Sequence, residues 1–208
     1  MNKILFLDTL TTGMNTERCA IYRIGGIYTE NGVEKKRFQF HMKPFPGARI
    51  SDQSLWVGNV DRSILAGYPD QGQTFLEFIR MLDTFVEVRN SRDKMYIAGF
   101  NAATMDVPFL WEWFRRNGNE RNRDYFHMQI IDMMNISAFV LMDERQRMQD
   151  FKLESVARQL NIYSGEGDTF DCIQNAKTTL DIYRKLRERF GLQLFEDTAE
   201  TNDFVKNF

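Results

Sequence analysis

Ile4-Leu5-Phe6-Leu7-Asp8-Thr9-Leu10-Thr11-Thr12-Gly13 is the stretch from which the architecture of this chain can be worked outward. Four consecutive apolar residues read as a short strand buried on both faces. The run stops at Asp8, and Thr11-Thr12-Gly13 carries the chain into a loop. Such a run is too short for a signal peptide or a membrane span.

Two more strands are expected over about residues 18–29 and 33–43, joined at Glu30-Asn31-Gly32. An Asn-Gly pair in that setting is a strong hairpin signal. Pro44, Pro46 and Gly47 end the sheet segment, and residues 50–70 read as short helices and turns. From Thr74 to Val88 the positions Phe75, Phe78, Ile79, Leu82, Phe85 and Val86 fall on one helical face. Tyr96-Ile97-Ala98-Gly99-Phe100 is a further buried strand, followed by a helix from about Asp106 to Arg116 and a polar loop over residues 117–124. Another helix carries Leu153, Val156, Ala157 and Leu160, and the last runs from about Asp171 to Phe190. Three strands, then helices alternating with further strands, imply an α/β fold with helices packed on a mixed sheet. One domain over residues 1–190 is expected, followed by an acidic, weakly patterned tail over 191–208 that contains Phe195, Phe204 and Phe208.

Composition sets the class. A chain of 208 residues, 43% hydrophobic and 27% charged, is long enough for one globular domain with a substantial core. Its 18 Phe and 11 Met point to an aromatic, adaptable interior or to an apolar interaction surface. The net charge of −2 excludes a protein that coats nucleic acid without specificity, because such proteins carry a strong basic excess. Any nucleic-acid contact has to be local, through patches such as Lys35-Lys36-Arg37 or Arg115-Arg116 with Arg121 and Arg123, each of which also reads simply as a solvated loop or helix end. Cys19 and Cys172 have no paired-motif spacing and are expected to be reduced and partly buried. The expectation is a soluble, cytoplasmic protein with no membrane partner.

Three segments, in order, resemble the DEDD-type 3′–5′ exonuclease superfamily, which includes polymerase proofreading subunits and oligoribonucleases and has a ribonuclease-H-like fold. Leu7-Asp8-Thr9-Leu10-Thr11-Thr12-Gly13 is similar to the family's Asp-x-Glu-Thr-Thr-Gly opening, and Tyr22-Arg23-Ile24-Gly25-Gly26 follows like its second strand. The run from Gly99 through Asn101 and Asp106 to Phe109-Leu110 resembles the Asn-x-x-x-x-Asp motif followed by Phe-Leu. Lys152-Leu153-Glu154-Ser155-Val156-Ala157, then Phe170-Asp171-Cys172-Ile173-Gln174-Asn175 and Thr179, resemble the closing helix pair and its His-x-Ala-Leu-x-Asp motif. Ile131-Asp132 also stands where the family has a comparable segment.

The resemblance implies a chemistry and, with it, a loss. Four carboxylates in the family hold two Mg²⁺ or Mn²⁺ ions about 3.5–4 Å apart, which activate a water and stabilise the leaving oxygen of a phosphodiester. The first Asp and Glu are two residues apart, on one face of a strand. A His five residues before the last Asp serves as the base. Asp8 and Asp106 match two of the acids, whereas Leu10 stands at the Glu, Asn175 at the last Asp and Phe170 at the His. Leu cannot coordinate a cation, Asn offers one neutral oxygen, and Phe accepts no proton. Loss of the base alone costs about 10²–10⁴ in rate.

The implied protein is therefore a degenerate exonuclease homologue, a pseudoenzyme that binds a single-stranded 3′ end or a protein partner. Thr11, Thr12, Gly13 and Asn101 are the expected substrate contacts, and Asp8, with Asp106, the one weak cation site. The alternative is an active Mg²⁺- or Mn²⁺-dependent exonuclease with a rearranged site, in which Asp171, one helical turn before Asn175, replaces a lost acid. Asp168 or Glu166 could serve likewise, and Asp171 also reads as an ordinary helix-start carboxylate. Trp56, Trp111 and Trp113 are candidate base platforms, Trp113 being better read as core. His41 and His127 match no family position.

Overall fold

The computed structural model describes residues 2–162 and 171–192. Strands β1 (Lys3–Thr11), β2 (Ile21–Glu30) and β3 (Val33–His41) are followed by helices α1 (Asp52–Val57), α2 (Arg62–Ala66) and α3 (Gln71–Asp83). Then come β4 (Tyr96–Gly99), α4 (Asp106–Arg116), α5 (Asn122–Tyr125), β5 (Ile131–Asp132), α6 (Met133–Val140), a 3₁₀ turn at Arg145–Arg147, α7 (Leu153–Gln159) and α8 (Cys172–Arg189). The sheet order is β3-β2-β1-β4-β5, with β1–β2 and β2–β3 antiparallel and β1–β4 and β4–β5 parallel. This is the mixed, helix-flanked sheet of the ribonuclease-H-like fold.

The opening apolar run explains the layering. Alternation along β1 sends Leu5 and Leu7 into a core with Phe75 and Phe78 of α3 and Phe109, Leu110 and Phe114 of α4. Ile4 and Phe6 face the other way, into a core with Val156 and Ala157 of α7 and Ala176, Leu180 and Leu186 of α8. A strand covered on both faces needs apolar residues at every position, which is why this run is unbroken. The hairpin forms where Asn-Gly predicts it, with φ of 49° at Asn31 and 80° at Gly32, the pair of positive angles that a tight two-residue turn requires.

Several boundaries differ from the sequence expectation. The α3 helix begins at Gln71, because the Asp70 carboxylate accepts the Gly72 and Gln73 N–H groups, and it ends at Asp83. Phe85 and Val86 lie beyond its end but still pack inward, Phe85 stacking on Tyr28 at 4.0 Å between ring centroids. Their apolar spacing signals burial, not helix. Helix α5 forms within the expected polar loop. Helix α6 went unpredicted because Met133 to Met142 is apolar on nearly every side and shows no 3.6-residue contrast. Its start is fixed by the Asp132 carboxylate, which accepts the Met134 and Asn135 N–H groups.

The two cysteines are free and buried. Among the described residues, no helix is long and apolar enough to cross a membrane. Phe195, Phe204 and Phe208 lie outside the described residues.

Candidate active site

Strand β4 pairs with β1 only from Ile4 to Phe6, so the edge of β1 is open from Leu7 onward on that side. The Asp106 carboxylate, at the first turn of α4, fills this gap. The Thr9 N–H and hydroxyl both donate to its Oδ1, at 2.8 and 2.6 Å. Asp106 is 5% exposed, and burial raises its pKa while the two Thr9 bonds oppose the rise.

The loop that delivers Asp106 depends on a residue that the family motifs left without a role. Asp132 accepts the Asn101 and Ala103 N–H groups at 3.2 and 3.0 Å while capping α6. Asn101 itself has φ of 62°, a left-handed turn that Asn tolerates better than most residues. Asn101 therefore shapes the approach to Asp106, whether or not its side chain also meets a substrate. A carboxylate immediately before an apolar helix is the signal by which Asp132 could have been found.

On the other side of β1, helix α8 lies directly on the sheet. A Cβ at Gly25 would be 2.7 Å from Cys172 Cβ, so only glycine allows this approach. Asp171 caps the helix by accepting the Ile173 N–H at 2.8 Å, its expected helix-start role. Asn175 then reaches Asp8, its Nδ2 donating to Oδ2 at 3.2 Å. The Cys172 thiol also hydrogen-bonds Asp8. Burial, reinforced by the Asp106 charge, drives the Asp8 carboxyl well above the ordinary carboxylate range despite these two donors.

Leu10 shares the α8 face with Asp8 but belongs to an apolar cluster of Tyr22, Leu55, Val60 and Leu65. The β1–β2 register shifts between Leu10 and Thr11, and Tyr22 sits opposite this irregularity. Strand, α1 and α2 thus meet around the Leu10 side chain. Thr12 is fully buried. Its N–H donates to the Ala20 carbonyl at 2.8 Å, and its hydroxyl accepts the Ala20 N–H and donates to the Arg49 carbonyl. The Thr11 hydroxyl donates to the Gly13 carbonyl at 2.8 Å, and Gly13 is buried against Cys19. Thr12 is therefore an internal brace of the loop, not an open contact. Phe170, Asp168 and Glu166 lie outside the described residues.

Trp113 is core, in edge contact with Phe75 at 5.1 Å, and Trp111 packs on Phe126. Trp56 is 76% exposed, on a groove of about 590 Å³ whose wall includes Leu55 and Val60 of the Leu10 cluster. The Arg115 and Arg116 patch is engaged with Glu112, and Arg116 also lies 3.7 Å from the centre of the Phe45 ring. Arg121 pairs with Asp124 and Arg37 with Glu34. These cations are helix-end and strand pairs, so they do not form a concentrated basic track.

Among the described residues, the donor set does not fit a two-cation centre. Among the described residues, no group of three or more His, Cys, Asp and Glu side chains could hold a metal ion. Asn175 turns its N–H₂ toward Asp8, Leu10 presents carbon, and Asp106 Oδ1 already accepts two hydrogen bonds.

Fold and sequence likeness both agree with the resemblance to the DEDD-type 3′–5′ exonuclease superfamily. It is 29% identical over 147 residues to a ribonuclease T of Histophilus somni, covering 65% of this chain and 64% of that protein. E. coli exonuclease I in a complex with single-stranded DNA superposes with a TM-score of 0.73 at 16% identity, over 94% of this chain and 42% of that one. Exonuclease I of Methylocaldum szegediense gives 0.72 at 17% identity, over 93% and 42%. The chain thus spans about two-fifths of those exonucleases and 64% of the ribonuclease. No family model matches the chain.

Proposed function

We propose that this chain is a degenerate exonuclease that holds the 3′ end of a single strand in its cleft and hydrolyses phosphodiesters poorly or not at all. The observation that carries this reading is the contact between Asn175 and Asp8. An acid that ligates a cation must offer its lone pairs to the ion, and here an amide hydrogen points into the Asp8 carboxylate. With Leu10 beside it in an apolar cluster, the site lacks the negative charge to gather two divalent cations. Partial burial of a neutral acid is the cheaper state for such a cleft.

Binding is supported by the fold, since the similar E. coli exonuclease I structures include complexes with single-stranded oligonucleotides. The exposed Trp56 on its groove adds a surface on which a base can stack. Thr11 and Asn101, both partly exposed, are the remaining loop contacts. The deciding experiment pairs two measurements on the full chain. A 3′-labelled oligonucleotide with Mg²⁺ or Mn²⁺ should remain uncut, while a 5′-fluorescein oligonucleotide should bind at low salt. Metal-dependent trimming at ordinary enzymatic speed would overturn the reading. Failure to bind DNA or RNA would instead favour a protein-interaction role, for which Phe139 and Met142, 67% and 58% exposed, provide apolar surface.

One observation favours the rearranged-site alternative. The Asp171 charge contributes, behind burial and Asp106, to the raised Asp8 pKa, so the two acids lie in the same region. On that reading Asp8, Asp106 and Asp171 bind metal together, and cutting disappears in both Asp8→Ala and Asp171→Ala.

A further inference from the structure

Thr12 gathers two separate loops onto the end of β1. Its N–H donates to the Ala20 carbonyl and its hydroxyl to the Arg49 carbonyl, while its own carbonyl accepts the Ser51 N–H. The Arg49 N–H in turn donates to the Arg18 carbonyl at 2.7 Å. Arg18 and Arg49 are therefore neighbours, their backbones at the spacing of paired strands, about 5 Å. Both arginines are exposed. Among the described residues, neither guanidinium has an ion pair or a hydrogen bond, in contrast to Arg115, Arg116 and Arg121.

Two like charges held at adjacent positions repel each other, so this corner gains from an anion. Glu17 is the acid next in the chain, and its charge acts on Arg115. The Glu17 carbonyl accepts from Arg116, which lies over the Phe45 ring, so a third cation adjoins the pair. The location suits a strand running out of the cleft. Thr12 is four residues beyond Asp8, about 13 Å along an extended backbone. Ser51, held by Thr12, caps α1, the helix that carries the exposed Trp56.

We propose that Arg18 and Arg49 together hold the phosphate backbone of the bound single strand, a few nucleotides from its 3′ end. The forked N–H groups of a guanidinium match non-bridging phosphate oxygens, which gives orientation as well as charge. Such contacts read the backbone and not the sequence, while a base stacks on Trp56. Thr12 acts as the positioning residue that brings the two arginines together. The proposal rests on the reading that the cleft holds a nucleic-acid strand.

The test uses the full chain, EDTA and a 5′-fluorescein oligothymidylate, read by fluorescence anisotropy across a salt series. Wild type should bind. Arg18→Gln/Arg49→Gln should bind about tenfold more weakly or worse. Its log affinity should also fall less steeply with log salt, by about 1.4 for two lost phosphate contacts on a single strand. Lys35→Gln/Lys36→Gln removes two exposed cations from β3 and should keep wild-type affinity and slope. Wild-type behaviour in the arginine variant would overturn the assignment and leave the binding reading intact. An equal loss in the lysine variant would also overturn it, because diffuse charge would then account for binding. No binding by wild type would overturn both. If the double variant fails to fold, Arg18→Gln and Arg49→Gln decide singly, each with a slope change of about 0.7. Wild-type slopes in both would reject the assignment.

Discussion

Asn175 donates its side-chain amide to Asp8 at 3.2 Å, across 167 residues of chain. The same contact joins the first strand to the last helix. It is possible because Gly25 lets α8 settle on β2.

Restoring charge should restore metal response. In Leu10→Glu/Phe170→His/Asn175→Asp the family's four acids and base are all present. This variant should gain Mg²⁺-dependent shortening of a 3′-labelled oligonucleotide, and its melting temperature should rise by several degrees on adding Mg²⁺. Without metal, Leu10→Glu alone should cost about 1–3 kcal/mol, because it sets a carboxylate against Tyr22, Leu55, Val60 and Leu65. A triple variant that ignores Mg²⁺ in both assays would show that the loss lies elsewhere.

Stability should carry the signature of Asp8. Burial, with the Asp106 charge, pushes its pKa up to about 8, against about 3.9 in an unfolded chain. A folded-state pKa that is raised gives stability that is complete below the unfolded value and is lost as pH climbs through the folded one. Stability due to this group should therefore decline between about pH 4 and 8 and then level off. Asp8→Asn removes the titrating proton, so denaturation across that range should show a flatter profile than wild type and greater relative stability at the alkaline end. Parallel profiles would count against the raised pKa.

Thr9 is predicted to be a positioning residue for Asp106. Thr9→Val keeps the shape and the backbone N–H but removes the 2.6 Å hydroxyl bond. A cost of about 1.5 kcal/mol is expected in urea denaturation. Most of that cost should vanish in an Asp106→Ala background, as a double-mutant cycle would reveal. Additive losses would mean that the hydroxyl acts through some other contact.

Gly25→Ala should lift the start of α8 from the sheet. Its new methyl would meet Cys172 Cβ at 2.7 Å, and the helix backbone behind it cannot yield locally. A loss of about 1–3 kcal/mol is expected. Because the displacement also breaks the Asn175 contact, the pH profile assigned to Asp8 should shift with it. A stability loss with an unchanged profile would mean that α8 adjusts without moving Asn175.

Much of this protein is written in local pattern. The unbroken Ile4–Leu7 run, the Asn31-Gly32 turn and the Asp106–Arg116 helix were legible because each is decided by neighbours in sequence. The order of motifs also carried the resemblance to the exonuclease superfamily, with which the fold agrees. Helix α6 was not legible, because an all-round apolar segment has no periodicity to read. The end of α3 was missed because Phe85 and Val86 pack against the core without being helical.

The sequence alone determined which chemical groups are available: two acids, an amide, a leucine. Only tertiary structure decided what they do. Asn175 became a donor to Asp8, Thr12 an internal brace, and Asp132 the anchor of the Asp106 loop. Hydrogen-bond partners and strand register depend on how distant segments meet, and residue identity at one position carries no record of what lies across the sheet.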